Sequence, residues 1–302
     1  ISIYIFIFSF ILFLFFISKY FFVDILLDCF AIFSMQKDVK YAILSFSGGL
    51  DSTSLLINLL YNKFKVQCIT FNYGQNHLIE IDKAKLNIEY LNKNGFDNKI
   101  KHRIVDIRDA FNPKGSSLFK NSKSIPKGHY EDSNMLSTFV PNRNAIFTSI
   151  IFSYALSWSK ELNNKKVYFS LGCHSGDHAI YPDCRPDFYK KLIDSLKIGN
   201  WGGENIDNYM PYINHTKTAI LKETLPLIKE LSLDYKDIYK NTNTSYSPDK
   251  NGISPGDTGS DIERILAFNE IGIKDPIEYA GGWKNAVKNA IKIEEDYQKS
   301  AK

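Results

Sequence analysis

Residues 39–54 read VKYAILSFSGGLDSTS, and this stretch decides the fold. Val39 to Phe46 is a short apolar run that stops at a cluster of serine and glycine, which is typical of a buried strand. From Asp51 to Asn62 the apolar residues recur at helical spacing. The stretch therefore predicts a strand, a tight glycine loop and a helix that follows directly.

The alternation of strand and helix continues outward from this stretch. Strands are predicted over Lys65–Phe71, Lys99–Val105 and Val167–Leu171, and helices over Glu80–Asn94, Ala145–Leu162, Arg185–Lys197, Ala219–Leu231 and Asp261–Ile271. Such alternation is typical of an α/β fold with a doubly wound, mainly parallel sheet. We predict this fold, with a small helical and irregular part at the C-terminal end. Residues 112–134 are predicted to form a loop over a site, and residues 199–208 and 241–260 to be irregular.

The composition is that of an ordinary globular protein, with 302 residues, 44% apolar residues and a formal net charge of +4. It excludes disordered, collagen-like and disulfide-scaffold proteins, and it permits an anionic ligand without requiring one. The four cysteines form no C-x-x-C pair, so the sequence shows neither a redox pair nor a zinc ribbon.

Residues 1–34 are strongly hydrophobic, since they hold ten of the 22 phenylalanines and only three charged residues. Two interpretations compete: a membrane anchor, and a mis-called start in which upstream sequence was translated. The second is favoured because a mildly basic domain follows Met35 within a few residues. We therefore predict a leader over 1–34 and a single cytoplasmic domain over 35–302, with 209–302 as its C-terminal subregion.

The loop after the first strand has the features of a phosphate-binding site. Its glycines allow backbone N–H groups to turn toward an anion, and the following helix adds the positive end of its dipole. Hydroxyl groups offer further donors, and Asp51 is placed to hold a metal or orient a pyrophosphate. An ordinary Ser/Asp helix cap is the alternative, while the Walker A and dinucleotide patterns are absent. The predicted nucleotide contacts are Phe46, Ser47, Gly48, Gly49, Leu50, Asp51, Ser52, Thr53 and Ser54.

The sequence SGGLDS at 47–52 resembles the PP-loop of the N-type ATP pyrophosphatases, which cleave ATP between the α and β phosphates. Three further motifs narrow this resemblance: FNYGQNH at 71–77, FVPNRN at 139–144 and YPDCRPDF at 181–188. Together they are similar to the motifs of the 7-cyano-7-deazaguanine synthase family, over about residues 37–280. The motifs lie at or beyond the ends of predicted strands, where ligands bind in parallel sheets.

The resemblance implies roles for individual residues. It adds Gly74, Gln75 and Arg143 to the ATP contacts, and it gives catalytic roles to Asp51, Ser52 and Arg185. The residues implied for the substrate are His77, Asn144, Asp177, Tyr181, Asp183, Arg185, Phe188 and Lys217.

Taken as residues alone, several of these positions leave alternatives open. Arg185 is a rigid fork suited to a carboxylate or phosphate, and equally to a surface ion pair with an acidic neighbour. Tyr181 and Phe188 suit stacking on a purine-like base or ordinary core packing. Lys217 suits a phosphate contact or a solvated position, and His77 is a site residue or an ordinary loop histidine.

The implied reaction joins 7-carboxy-7-deazaguanine, ammonia and ATP with Mg²⁺ to give 7-cyano-7-deazaguanine, in queuosine biosynthesis for tRNA modification. An adenylated carboxylate is the implied intermediate, which makes the enzyme an ATP-dependent ligase that forms a C–N bond. Two alternatives stay open: an enzyme that stops at the amide or amidates another carboxylate, and a nucleotide-binding protein without turnover. The implied partners are these small molecules and a second copy in a homodimer, without direct nucleic-acid contact.

The chain departs from the family at its zinc site. The family's cysteine ligands fall on Ser245, Pro255, Thr258 and Asp261, within a frame kept at Tyr246, Gly256, Ser260 and Arg264. Proline has no ligand atom, and serine and threonine bind zinc poorly. We therefore expect no zinc, and expect hydrogen bonds from Ser245, Thr258 and Asp261, or a partner subunit, to hold this segment.

Overall fold

The computed structural model describes residues 39–76, 78–112, 116–119, 125–178 and 181–300. The predicted leader and His77 lie outside the described residues, and so does the side chain of Asp177. Among the helices that are described, none combines the length and the apolar character needed to cross a membrane.

The described part of the chain is built on a five-stranded sheet in which every pair is parallel. Its strands are β1 (Lys40–Ser45), β2 (Phe64–Asn72), β3 (Ile100–Asp106), β4 (Val167–Leu171) and β5 (Ile206–Asn208). The helices are α1 (Leu50–Tyr61), α2 (Ile79–Leu91), α3 (Arg143–Glu161), α4 (Pro186–Ile198), α5 (Lys217–Glu230), α6 (Tyr235–Lys240), α7 (Gly259–Glu270) and α8 (Trp283–Ser300). The strand order is β3-β2-β1-β4-β5, which confirms the predicted α/β class.

Successive residues of β1 face opposite sides of the sheet, as the two-residue period of a strand requires. Ala42 and Leu44 pack in one core with α1, α2, α5 and α6. Ile43 packs in a second core with α3 and α4. Since both faces are covered, consecutive residues from Tyr41 to Leu44 are apolar rather than alternating, and the sheet is doubly wound as predicted.

Two elements were not predicted from the sequence, and both are short. Strand β5 lies within the segment predicted to be an irregular break, and of its three residues only Ile206 is buried. Helix α6 has six residues, and the side chain of its N-cap residue Asp234 accepts a hydrogen bond from the Lys236 N–H. Neither element is long enough to show a hydrophobic period in the sequence. The prediction of a simple break over 199–208 is wrong because β5 occupies its last three positions.

The sheet reverses its direction of winding between β1 and β4, which are hydrogen-bonded neighbours. The connections that leave these strands turn to opposite faces, so a crevice opens beyond their carboxyl ends. The glycine loop at 46–49 follows β1, and residues 172–174 follow β4. The fold therefore brings the loop predicted to bind phosphate to the usual ligand position of such sheets.

Candidate active site

The glycine loop is shaped by a close contact with helix α2. Gly48 has φ +84°, and a Cβ atom on it would lie 2.3 Å from the carbonyl oxygen of Glu80, so only glycine fits. The Gly49 N–H donates to Ser47 Oγ at 3.1 Å, and Ser47 Oγ lies 3.0 Å from Ser52 Oγ. The loop thus presents serine hydroxyls beside the N-terminus of α1, which is a favourable place for an anion.

A cavity of about 200 Å³ opens beside this loop, and residues from all four sequence motifs line it. Eight of the residues predicted from the sequence lie in its wall: Ser47, Gly49, Asp51, Ser52, Arg143, Asn144, Tyr181 and Lys217. Residues that were not predicted also line it: Tyr73, Glu80, Phe147, Cys173, His174, Cys184, Thr244, Tyr246, Ser260 and Glu263. We call this space the main cavity.

Other predicted contacts lie behind the wall and support it. Phe46 and Leu50 are fully buried in the core under the loop. Thr53 and Ser54 are buried within α1, where Ser54 Oγ lies 2.9 Å from Tyr239 Oη. Gly74, with φ +84°, belongs to the turn after β2. Their assignment as ATP contacts stays a prediction.

Gln75 fixes the turn after β2 and holds a carboxyl group of the cavity wall. Its Oε1 accepts from the Tyr73 N–H at 3.0 Å, while its Nε2 donates to the Phe71 carbonyl at 3.2 Å and to Glu80 Oε1 at 3.0 Å. Burial raises the pKa of Glu80 to about 8, against the lowering effects of Gln75 and Arg143. Glu80 is therefore largely protonated at neutral pH.

Lys217 is the centre of a buried charge cluster in the main cavity. Its Nζ lies 2.9 Å from Asp51 Oδ2, 3.3 Å from Glu263 Oε2 and 3.2 Å from His174 Nε2. The lysine side chain is only 4% exposed, so the solvated alternative is wrong. Burial alone would raise the pKa of Asp51, but the charges of Lys217 and His174 outweigh it and lower this pKa.

The sequence interpretation missed two members of this cluster, His174 and Glu263. His174 stands just beyond β4, and that position at a strand end was its available signal. Glu263 lies in α7 and shows no local signal, because its partners are far from it in sequence. The cluster joins α1, the end of β4, α5 and α7, so its formation depends on the tertiary fold.

Arg143 lies in the wall of the main cavity, among aromatic rings. Its guanidinium carbon lies 5.9 Å from the centroid of the Tyr181 ring, within the range of a cation–π contact. Burial opposes ionisation of Arg143, but Tyr73, Tyr246 and Tyr181 raise its pKa well above the ordinary value. The Tyr181 hydroxyl is held by Thr138 Oγ1 at 2.6 Å. Tyr181 is thus both buried and part of the cavity wall, and its stacking on a base stays a prediction.

The motifs at 139–144 and 181–188 are joined by a hydrogen-bonded clamp. Asn144 N–H donates to Asp183 Oδ2 at 3.2 Å, and Asn144 Nδ2 donates to the Asp183 carbonyl at 3.3 Å and to Cys184 Sγ at 3.2 Å. Asp183 thereby positions Asn144 from behind the wall, and Cys184 is buried within it. A substrate contact by Asp183 stays a prediction.

Two predicted substrate residues lie away from the cavity. Arg185 is exposed at the N-terminal boundary of α4, and in the described part of the chain the cavity wall does not include it. Phe188 packs at the edge of the second core and its ring lies 5.3 Å from that of Tyr189. The catalytic role of Arg185 and the stacking role of Phe188 stay predictions, and Arg143 supplies the guanidinium that the structure places in the wall.

Hydrogen bonds fill the place where the family would have zinc. Asp261 accepts from Thr258 Oγ1 at 2.6 Å, Ser254 Oγ at 2.7 Å and Ser245 Oγ at 3.1 Å, and from the Thr258 N–H at 3.3 Å. Three of the positions where the family's zinc ligands fall therefore meet through hydrogen bonds, as expected. Pro255 takes no part, and Ser254 supplies the remaining hydroxyl.

This hydroxyl and carboxylate set does not fit structural zinc, which takes thiolate and imidazole ligands in such sites. Elsewhere in the described ranges, no group of three or more His, Cys, Asp or Glu residues is arranged to hold a metal ion. Burial raises the pKa of Asp261, although hydrogen bonds from Thr258, Ser254 and Ser245 oppose this effect.

A buried ion pair then connects this segment to the glycine loop. Arg264 Nε lies 2.6 Å from Asp275 Oδ2, and both side chains are fully buried. Arg264 Nη1 also donates to Thr242 Oγ1 at 2.7 Å and to Thr244 Oγ1 at 3.0 Å. The residue between them, Asn243, donates its N–H to the Gly48 carbonyl at 3.0 Å. The C-terminal subregion therefore supports the loop directly.

Comparisons with known proteins indicate the family of this chain. The profile of the family described as "Queuosine biosynthesis protein QueC" matches residues 41–272. A 7-cyano-7-deazaguanine synthase from Psychromonas ingrahamii is 38% identical over 242 residues, covering 80% of this chain and 98% of its own. One from Caldicellulosiruptor saccharolyticus is 38% identical over 238 residues, covering 79% and 95%. Among solved structures, NMN synthetase from Francisella tularensis is similar over 85% of each chain, at 15% identity and a TM-score of 0.36.

Replacing Asp261 by Asn should destabilise the fold by about 1–3 kcal/mol, because an amide N–H₂ would face hydroxyl and backbone donors inside the protein. The free energy of unfolding from urea titration measures this effect. Asp82→Asn is the matched control, since Asp82 is 70% exposed in its pair with Lys85. A chelator should leave both unfolding curves unchanged. Wild-type stability in Asp261→Asn, or a loss of stability with chelator, would contradict the hydrogen-bonded replacement.

Replacing Glu80 by Gln should flatten the dependence of stability on pH. The pKa of Glu80 is raised from 4.5 to about 8 on folding, so its stabilising contribution is full below pH 4.5 and is lost as pH rises through 8. Melting temperatures across this window should therefore fall less in Glu80→Gln than in the wild type. Glu89→Gln, at an exposed position of the same helix, serves as control. Parallel curves for all three proteins would show that Glu80 does not titrate as described.

Proposed function

The chain belongs to the queuosine biosynthesis protein QueC family, and from this premise we propose that it converts 7-carboxy-7-deazaguanine, ammonia and ATP into 7-cyano-7-deazaguanine. The observation that carries the proposal is the main cavity, which the glycine loop, Lys217 and Arg143 line together. The loop suits a polyphosphate, and Arg143 with its aromatic neighbours suits a planar, anionic substrate.

The chemistry requires activation because a carboxylate is a poor electrophile. In the proposed reaction, a substrate carboxylate oxygen attacks the α phosphorus of ATP and pyrophosphate leaves. Ammonia then attacks the acyl carbon, AMP leaves with the carboxylate oxygen, and an amide forms. A second ATP activates the amide oxygen in the same way. Loss of AMP and of the protons on nitrogen leaves the nitrile.

The glycine loop is proposed to hold the pyrophosphate end of ATP. Ser47 and Ser52 offer hydroxyl donors beside the helix N-terminus, and Lys217 supplies a fixed positive charge. Donors and charges that are already oriented stabilise negative charge as it develops on the leaving group. Asp51 Oδ1 is buried and has no hydrogen-bond partner in the described structure. We assign this oxygen to the Mg²⁺ that accompanies ATP and shields its phosphates.

Arg143 and its neighbours are proposed to hold the deazaguanine. The guanidinium is suited to two parallel hydrogen bonds with the substrate carboxylate, and the Tyr181 and Phe147 rings offer apolar surface for a planar base. Glu80, which is protonated at neutral pH, offers an O–H donor or an acceptor to the base edge. Asn144 is fixed by the Asp183 clamp and offers its side chain from the same wall.

The direct test is incubation of the purified chain with ATP, ammonium and 7-carboxy-7-deazaguanine, followed by mass spectrometry. The proposal predicts the nitrile, with AMP and pyrophosphate as coproducts. Accumulation of the amide alone would show an enzyme that stops halfway. Binding of ATP without release of pyrophosphate would show a nucleotide-binding protein without turnover.

Replacing Arg143 by Lys should raise the KM for 7-carboxy-7-deazaguanine by about tenfold or more, because a point cation cannot reproduce a bidentate contact. The KM for ATP should change little. Arg103→Lys is the matched control, since Arg103 also lies over a tyrosine ring, that of Tyr154 at 5.6 Å, but is exposed on β3. Equal kinetics of Arg143→Lys and the wild type would remove Arg143 from the substrate site.

A further inference from the structure

A second cavity of about 210 Å³ lies beside the main one. We call it the side cavity; its rim includes His129, Glu131 and Glu294, and its floor includes Ile262, Leu266 and Ala267 of α7. Tyr130, Lys217 and Glu263 line both cavities. A single layer of side chains therefore separates the side cavity from the proposed catalytic space.

The partition between the cavities is tightly built. Glu263 places Oε2 3.3 Å from Lys217 Nζ and Oε1 3.7 Å from His174 Nδ1. Gly176 lines the side cavity, and a Cβ atom on it would lie 2.3 Å from Glu263 Oε1 and 2.8 Å from His174 Cε1. Because Gly176 has no side chain, the Glu263 carboxylate has room beside it, at the boundary between the two cavities.

Charge and polarity distinguish the two ends of the side cavity. Glu131 is exposed at the rim, where Tyr297 Oη donates to it at 3.0 Å. Glu294 accepts from Gln298 Nε2 at 2.8 Å and lies 3.0 Å from His129 Nε2. These carboxylates attract cations, whereas the apolar floor admits a small neutral molecule. Ammonia exists mainly as ammonium in neutral water and must lose a proton before it can act as a nucleophile.

The proposed reaction also needs a route of this kind. The adenylate must be protected from water, since hydrolysis would return the starting carboxylate. In the proposed sequence, the acyl adenylate occupies the main cavity at the moment when ammonia is required. A separate passage for a small molecule meets both conditions.

We propose that the side cavity is the inlet for ammonia. The inference rests on the proposed function and specifies how its third substrate arrives. Ammonium is drawn in by Glu131 and Glu294, gives its proton to water at the rim, and enters the side cavity as neutral ammonia. The neutral ammonia moves past Lys217 and attacks the acyl carbon of the adenylate. A C–N bond forms, the C–O bond to AMP breaks with its electron pair on AMP, and the nitrogen gives up one proton to the departing AMP, which leaves the neutral amide.

Leu266→Trp tests the inlet because it fills the side cavity at a residue that does not line the main one. The KM for ammonium should rise about tenfold or more, since access of the nucleophile is obstructed. Exchange between pyrophosphate and ATP, measured with 7-carboxy-7-deazaguanine and without ammonium, should keep the wild-type rate. Leu225→Trp is the matched control, in a surface groove formed by α5 and the turn that follows it. It should leave both quantities unchanged.

An unchanged ammonium KM in Leu266→Trp, or an equal rise in Leu225→Trp, would overturn the inlet while leaving the proposed function intact. Absence of both exchange and amide in the wild-type protein would instead overturn the proposed function. If Leu266→Trp loses exchange as well, Glu131→Gln decides, with exposed Glu161→Gln as its control. Removal of the rim charge should raise the ammonium KM about threefold to tenfold at low salt. No difference between these two variants would overturn the inlet.

Discussion

The contact between Lys217 and Asp51 is the interaction on which the rest of the site depends. It connects the first turn of α1 to the first residue of α5, and Glu263 extends the connection to α7. Buried charges of this kind are stable only when paired, since a buried ion without its partner costs roughly 3–5 kcal/mol. The fold must therefore bring these distant elements together before the glycine loop can present its donors to a phosphate.

The C-terminal subregion completes this arrangement through hydrogen bonds and a buried ion pair. The Asp261 carboxylate accepts hydrogen bonds from three hydroxyls and a backbone N–H. Arg264, paired with Asp275, holds the segment 242–244 that contacts Gly48. Both interactions begin on α7, the helix that also carries Glu263. One helix thus holds the loop in place, supplies a charge to the main cavity and forms the floor of the side cavity.

The sequence predicts the parts of this structure that depend on neighbouring residues. The local hydrophobic pattern and the glycines of the loop predict the strand, loop and helix at 39–62. The four motifs lie at the strand ends, where a parallel sheet binds ligands. Glu263 could not be found in this way, because it becomes a site residue only through its contact with Lys217, whereas His174 had the local signal of its position beyond a strand end. Arg185 has the side chain of a site residue but lies exposed beside the wall, while Arg143 lies within it. Local sequence indicates which chemistry is available, and packing decides which residues supply it.

The main cavity is proposed to activate a carboxylate oxygen, and then an amide oxygen, by transferring the AMP moiety of ATP to each. This transfer is tested most directly with 7-carboxy-7-deazaguanine labelled with oxygen-18 in its carboxylate, followed by mass spectrometry of the AMP released. Each AMP formed should carry one labelled oxygen, and the nitrile product should carry none. Release of unlabelled AMP, or formation of ADP in its place, would exclude this transfer.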